Sequence, residues 1–336
     1  MPTGRRRRRT RYGAALLALL TVVGYITFRT LTGAPTECTV QANGERVALQ
    51  PQQAANATTI SAVASSRRLP EHALAIALTT AMQESELRNL RKGDRDSLGL
   101  FQQRPSQGWG TAQQIMDPVY SANEFFDELV KIPGYANLPL AVAAQQVQHS
   151  GYPQAYVKRV GAASVLASAL SGRVPSLSCR VAPDGGTGSA AAVRVQLTRE
   201  FGLQVDPQQG TLNMSDASDG SEDSIVLAAV TPPKPAPRHK SRRKEKAAQG
   251  ANAAERNAQE EREEQEERER GWVLAQWAVA HAQDLRIAEV SYAGRAWHAS
   301  HSGEGWVKAP ATNANAAGHS AAPGQSHEAV QITVTR

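Results

Sequence analysis

The spacing of apolar positions changes character along the chain. Sixteen residues without a charge, Gly13 to Phe28 (GAALLALLTVVGYITF), come first. Helical spacing follows: Pro70 stands where a first helical turn tolerates proline, and EHALAIALTTAMQESEL behind it puts Leu74, Ala77, Leu78, Ala81 and Met82 on one face. Ser121–Val130 and Leu138–Gln148 repeat the amphipathic pattern, with Gly and Pro between the runs. Residues 191–202 read as strand or helix, and Trp272–Leu285 as a helix marked by Trp272, Ala275, Gln276, Val279 and Ala282. IAEVSYAG, RAWHAS and the terminal EAVQITVTR read as strands. In the last of these, Ala329, Gln331 and Thr333 share one face and Val330, Ile332 and Val334 the other.

The expected architecture is α+β overall. An all-α domain covers 38–180, a linker 181–190 follows, and a small α+β domain fills 191–336, interrupted over 231–270 by a charged low-complexity insertion. Within that insertion a Pro/Lys/Arg-rich stretch precedes ERNAQEEREEQEERER, which reads as a solvated linker leading into a surface helix with i,i+4 ion pairs. A basic arm touching anionic wall polymers is the alternative.

Charge settles what the basicity is for. The chain carries 37 basic and 31 acidic residues, a formal charge of +6, but six arginines (Arg5 to Arg9 and Arg11) lie before the first apolar run. Without those six the balance is even, so no body-wide basic field exists to grip nucleic acid. Placed ahead of an apolar run, they set topology instead: residues 1–12 form a cytoplasmic basic segment and 13–33 a transmembrane signal anchor, with Arg29 alone on the far side. A cleaved signal peptide is the alternative, and either way the remaining chain is exported. One span excludes a channel or transporter acting alone.

Two cysteines, Cys38 and Cys179, bracket the helical block, and an even count in an oxidising compartment suggests one disulfide between them. The chemistry-bearing stretch is residues 81–110. Glu84 comes near the end of the first strong helix, on a face of small residues (Ala81, Thr80, Ala77, Ala73) that leaves room for a ligand. Fifteen residues on, Gly99, Leu100, Phe101 and Gln102 supply a turn, an apolar wall and an amide donor. Ser106, Gln107, Trp109 and Tyr120 add groups of the kind that line sugar sites. An acid desolvated against Leu100 and Phe101 has the raised pKa that a general acid for glycosidic cleavage needs. Glu86 competes for the role, and Asp94 and Asp96 offer a second carboxylate or simple turn chemistry.

Glu84-Ser85 followed at this spacing by Gly99-Leu100-Phe101-Gln102 resembles the E-S … G-L-M-Q signature of lytic transglycosylases, related to goose-type lysozymes. Ala143-Ala144-Gln145 … Tyr156 is similar to that family's A-Y-N-A-G … Y region, with Gln145 where its asparagine falls. The likeness covers roughly residues 55–170. It implies a lysozyme-like helical domain that cleaves the MurNAc–GlcNAc bond of peptidoglycan. Glu84 would be the acid and then the base, while Ser85, Gly99, Leu100, Phe101, Gln102, Gln145 and Tyr156 would bind substrate. It also implies that one carboxyl group suffices, because the sugar's own 6-hydroxyl closes a 1,6-anhydro ring.

The C-terminal block resembles a peptidoglycan-associated domain related to zinc D,D-peptidases, through Arg270-Gly271-Trp272, Ala275-Gln276-Trp277, Ala280-His281-Ala282, Tyr292, Gly294-Arg295-Ala296-Trp297 and Trp306. Active members end in D-H-V-H-V; here Ala329 and Gln331 stand at the histidine positions, and Ala217 and Ser224 align with the other ligands. Alanine cannot ligate zinc, so a degenerate module with no metal and no cofactor is expected. His298, His301, His319 and His327 read as surface histidines or, alternatively, as a metal-handling set. The combined expectation is a membrane-anchored lytic transglycosylase or muramidase-like protein whose partners are peptidoglycan strands and, through one helix, the membrane. Nucleic acid is not among the expected partners, and no protein partner is indicated. The rival class is a non-catalytic wall-binding scaffold using the same groove.

Overall fold

The structure, a computed structural model, describes residues 19–25, 36–150, 152, 154–182, 185–202, 212–216, 223–229, 248–309 and 329–336. It divides into two units, Met1–Thr36 and Glu37–Arg336. In the first, residues 19–25 are helical; most of the expected anchor at 13–33 lies outside the described residues. Among the described residues no helix is long and apolar enough to cross a membrane.

The second unit is mixed α+β. It opens with a three-stranded antiparallel sheet in the order β2 (Glu45–Leu49), β1 (Glu37–Ala42), β3 (Leu177–Arg180). The Gln41 N–H donates to the Ser176 carbonyl at 2.9 Å. Counting along the register from that hydrogen-bonded pair puts Cys38 opposite Cys179 at a non-hydrogen-bonded position, where antiparallel strands approach most closely. The two are joined by a disulfide across 141 residues of sequence.

Helices fill the interval. Helix α1 (Pro51–Ser66) is buried on all sides from Ala54 to Ala64, because nearly all its residues there are small or β-branched, Thr58 turns its hydroxyl back to the Ala54 and Ala55 carbonyls, and Asn56 and Ser61 donate to the Leu87 and Leu170 carbonyls. Helix α2 (Glu71–Ser85) packs its alanine-rich length against α1 and against a later helix, Val160–Leu170. Helix α3 (Ala112–Ile115) leads into α4 (Pro118–Leu129), which starts with proline in its first turn and the Asp117 carboxylate accepting from the Val119 N–H at 2.9 Å. Helices α5 (Leu140–Gln148), α6 (Gln154–Val157) and α7 (Val160–Leu170) complete the block around a core that includes Ile60, Ile76, Leu78, Phe125, Phe126 and Leu166.

Residues 190–201 resolve the strand-or-helix alternative as helix: α8 (Ala190–Phe201), capped by the Ser189 hydroxyl. The Glu/Arg run is helical too and is continuous with the tryptophan-marked helix. Together they make α9 (Ala248–Ala280), 33 residues long and so about 50 Å. Every residue from 257 to 266 is exposed, and every residue from Gly271 to Ala280 is buried. The sequence changes at that point from EEREEQEERER to GWVLAQWAVA, so one helix is a solvated rod at its start and a core element at its end. The rod carries the i,i+4 pairs Glu264–Arg268 and Glu266–Arg270.

Behind α9 lies a six-stranded antiparallel sheet ordered β4 (Leu212–Asp216), β5 (Ser224–Ala229), β9 (Val330–Val334), β6 (Ile287–Tyr292), β7 (Arg295–His298), β8 (Val307–Lys308). In β9 the apolar set Val330, Ile332 and Val334 is buried and Gln331 exposed, as the alternation requires.

Fully buried Gln276 of α9 stitches this part to the helical block. Its Oε1 accepts from the backbone N–H groups of Ser176 (3.1 Å) and Leu177 (2.9 Å), and its Nε2 donates to the Ala169 carbonyl at 3.2 Å. The Trp306 indole donates to the Leu177 carbonyl at 2.8 Å, and the Ser302 hydroxyl accepts from the Val181 N–H at 3.2 Å. The outer edge of β3 is thus covered by side chains rather than by a strand.

Candidate active site

Glu84 stands in the last turn of α2, one residue before the helix ends. The ending is forced by the backbone. Glu86 and Leu87 both take left-handed conformations (φ 54° and 61°), and the Leu87 N–H closes on the Ala81 carbonyl at 3.1 Å, six residues back. Neither residue is glycine, so the turn needs outside support. Helix α1 provides it: Gln53 donates to the Glu86 carbonyl and Asn56 to the Leu87 carbonyl, both at 2.7 Å.

The chain then doubles back. The Gly99 N–H donates to the Leu90 carbonyl at 2.8 Å, which brings the 99–102 turn under the end of α2. Gly99 has φ 77°, and a Cβ there would sit 2.6 Å from the Ile115 carbonyl oxygen, so both conformation and space call for glycine. Ser85 fastens this turn to the helix: its hydroxyl, wholly inside, lies 2.6 Å from the Leu100 carbonyl and 3.0 Å from that of Ala81.

These contacts change the expected roles. Ser85, Leu100 and Phe101 are buried, with Leu100 and Phe101 at 0% exposure and Phe101 stacked on Phe125 at 4.7 Å between centroids. A ligand cannot touch them, so they support the site from beneath rather than lining it. Gln102 (φ 48°) folds its amide back to the Gly99 carbonyl at 3.1 Å. Gln145 is half-buried and its amide reaches the Ser150 carbonyl at 3.4 Å, so it is spent on the α5–α6 connection. Ser106 and Gln107 are exposed, while Trp109 packs on the core.

Tyr156 is what the folding brings to Glu84. It is 1% exposed, and its phenol donates to Glu84 Oε1. Burial pushes the Glu84 carboxyl above the ordinary carboxylate range, while the Tyr156 hydrogen bond pulls in the opposite direction and loses. Burial and the Glu84 charge push the phenol itself upward, so it remains a donor. The geometry gives the acid partial desolvation, one directed partner and a remaining partial exposure.

The competing carboxylates are engaged otherwise. Glu86 is exposed and lies 3.7 Å from both Arg88 and Arg159. Asp96 accepts from Arg104 Nε and from the Ser106 N–H, each at 2.8 Å, and these partners hold its carboxyl well below the usual range. Asp94 is exposed on the same loop. Residues not singled out by the sequence contribute as well. Gln148 donates to the Phe101 carbonyl at 2.8 Å, and Arg159 reaches Gln83 Oε1 at 3.4 Å. The helical offset of Gln148 from Gln145 was the available signal for the first; nothing local marks the second.

On the C-terminal sheet the outward face of β9 is occupied by hydroxyls and amides. Ser224 and Thr333 lie 3.1 Å apart, and Ser291 reaches Gln331 at 3.4 Å. His298 Nδ1 stands 3.6 Å from Glu289, and His301 neighbours the Ser300 hydroxyl. Among the described residues no group of three His, Cys, Asp or Glu side chains could hold a metal ion; Ala217, His319 and His327 lie outside them. No family model matches the chain, and no curated protein matches it.

Proposed function

We propose that the chain is a peptidoglycan-cleaving protein in which Glu84 is the general acid and then the general base, held at the outer face of the membrane by its N-terminal segment. The observation that carries this reading is the half-buried Glu84 carboxyl, shifted toward its protonated form and aimed by Tyr156. A protonated carboxyl donates its proton to the departing glycosidic oxygen as the bond to the anomeric carbon breaks. The resulting carboxylate then takes the proton of the sugar's 6-hydroxyl as that oxygen bonds to the anomeric carbon, or takes one from water in the muramidase-like variant. The two routes differ by one water in the product.

The C-terminal sheet is read as a degenerate peptidase-like module. Support comes from its donor set: Ala329 and Gln331 stand where imidazoles would be needed, and alanine offers no ligand atom. Zymography on peptidoglycan tests the enzyme reading. Wild-type chain should clear the substrate and Glu84→Gln should not. Retention of the wild-type protein on the wall without clearing would instead make the Glu84 site a binding one.

A further inference from the structure

The rim of the Glu84 site carries a local surplus of cations that the chain as a whole does not have. The loop 91–98 hangs between Leu90 and Gly99 and lies against the catalytic turn, where Gly93 meets the Gln102 side chain. Its exposed tip holds Arg91, Lys92 and Arg95. Exposed Lys158 and half-buried Arg159 follow Tyr156 by two and three residues, and Arg159 reaches Gln83 and Glu86, the residues either side of the Glu84-Ser85 pair. Arg88 and Arg159 share Glu86, and Arg104 is held by Asp96. Among the described residues Arg91, Lys92, Arg95 and Lys158 have no carboxylate partner, and the one carboxylate of this rim similarly left over is Asp94. With Arg88 and Arg159 sharing the single Glu86, the surplus around the acid is four positive charges, on a chain whose charges balance after residue 12.

Resting on the reading of Glu84 as a glycan-cutting acid, we infer that the substrate is an anionic glycan, whose negative groups the 91–95 loop and Lys158 hold while the sugar backbone crosses Glu84. Neutral polysaccharide gains nothing from these cations. A polymer bearing a charge at each repeat keeps one within about 10 Å of the rim at 0.1 M salt, inside the screening length. Two sources share this chemistry: the carboxylates of stem peptides, and the phosphodiesters of a polymer linked to the wall.

The test measures binding to full-length Glu84→Gln protein, so that cutting does not intervene. Four probes are compared: neutral chito-oligosaccharide, peptidoglycan with stems but no phosphodiester polymer, the same material with its carboxylates converted to amides, and peptidoglycan retaining the polymer. The anionic probes should bind about tenfold more tightly at low salt and lose that advantage at high salt. Adding Arg91→Gln, Lys92→Gln and Arg95→Gln should remove the advantage while leaving chito-oligosaccharide binding unchanged. Loss of the advantage on amidation identifies the carboxylates; its appearance only with the polymer identifies the phosphodiesters. Equal, salt-insensitive binding of neutral and anionic probes overturns the inference and leaves the glycan reading standing. Binding of no probe removes both.

Discussion

Tyr156 and Glu84, 72 residues apart in sequence, meet through a hydrogen bond in which the phenol donates to the carboxylate. The contact opposes its surroundings. Burial favours the neutral acid, the phenol favours the anion, and burial dominates. Tyr156 therefore acts as a brake on the acidity shift as well as an aiming device.

Removing that brake has a defined sign. In Tyr156→Phe the carboxylate loses a donor, so the Glu84 pKa should rise further and the alkaline limb of any lytic pH profile should move to higher pH. On the reading of Glu84 as the general acid, Glu84→Gln should lower any lysis by about 10²–10⁴-fold at every pH. Turbidity loss of wall suspensions measured from acid to alkaline pH decides between them. An unmoved limb in Tyr156→Phe would separate the tyrosine from the titration.

Gly99→Ala should damage the site more than its size suggests. The new methyl must enter a left-handed backbone conformation and stand 2.6 Å from the Ile115 carbonyl oxygen. A cost of about 1–3 kcal/mol is expected, with lytic activity falling because the 99–102 turn shifts under Glu84. Thermal unfolding and zymography on the same preparation are the measurements.

The helices ending at Ser85, Leu129 and Gln148 and the terminal strand were legible in the sequence because each rests on local spacing, whereas spacing left Glu84 and Glu86 as equals and only the resemblance of Glu84-Ser85 to the E-S signature chose between them. The alternation of Val330, Ile332 and Val334 gave their burial directly. Leu100 and Phe101 were legible as apolar and adjacent to the acid, but their complete burial depends on Phe125, which periodicity cannot place. Ser85 illustrates the same limit. A serine beside an acid reads as a ligand contact until the carbonyl of Leu100, 15 residues on, is seen to take its hydroxyl. The continuity of the Glu/Arg run with the buried tryptophan helix was hidden by the composition change at Gly271, which alters the environment without interrupting the backbone ladder.

Gln276 should be among the least replaceable polar residues outside the site. Gln276→Leu leaves two buried N–H groups and one carbonyl without their partner, at about 1–3 kcal/mol for each group so stranded. Urea denaturation should show a loss of about 3 kcal/mol or more. A change under 1 kcal/mol would mean that water replaces the amide.

The Cys38–Cys179 bridge closes a long loop, for which chain entropy assigns about 4–5 kcal/mol. Cys38→Ser with Cys179→Ser should lower the urea midpoint accordingly, and protein isolated without reductant should show no free thiol by non-reducing mass spectrometry.

The last prediction concerns acid. Glu200 of α8 is buried and accepts from Gln196 Nε2 at 2.6 Å and from the Trp277 indole at 2.8 Å. His281, 8% exposed, lies over Trp277 with ring centroids 4.6 Å apart, and its Nε2 stands 3.7 Å from Glu200 without a hydrogen-bond partner. Burial lowers the His281 pKa; the attraction of Glu200, and of Asp284 after it, pulls upward but is the smaller influence. The folded chain therefore binds this proton less readily than the unfolded chain, whose histidine titrates near pH 6.5. Stability from this group is present in full above that pH and is lost as pH falls below it, by up to about 1.4 kcal/mol per pH unit. Urea midpoints at pH 7.5 and 5.5 should differ in that direction, and His281→Phe, which keeps a ring on Trp277 but cannot titrate, should reduce the difference. An identical pH dependence in the two proteins would show that His281 accepts its proton without cost, with Glu200 compensating fully for the burial.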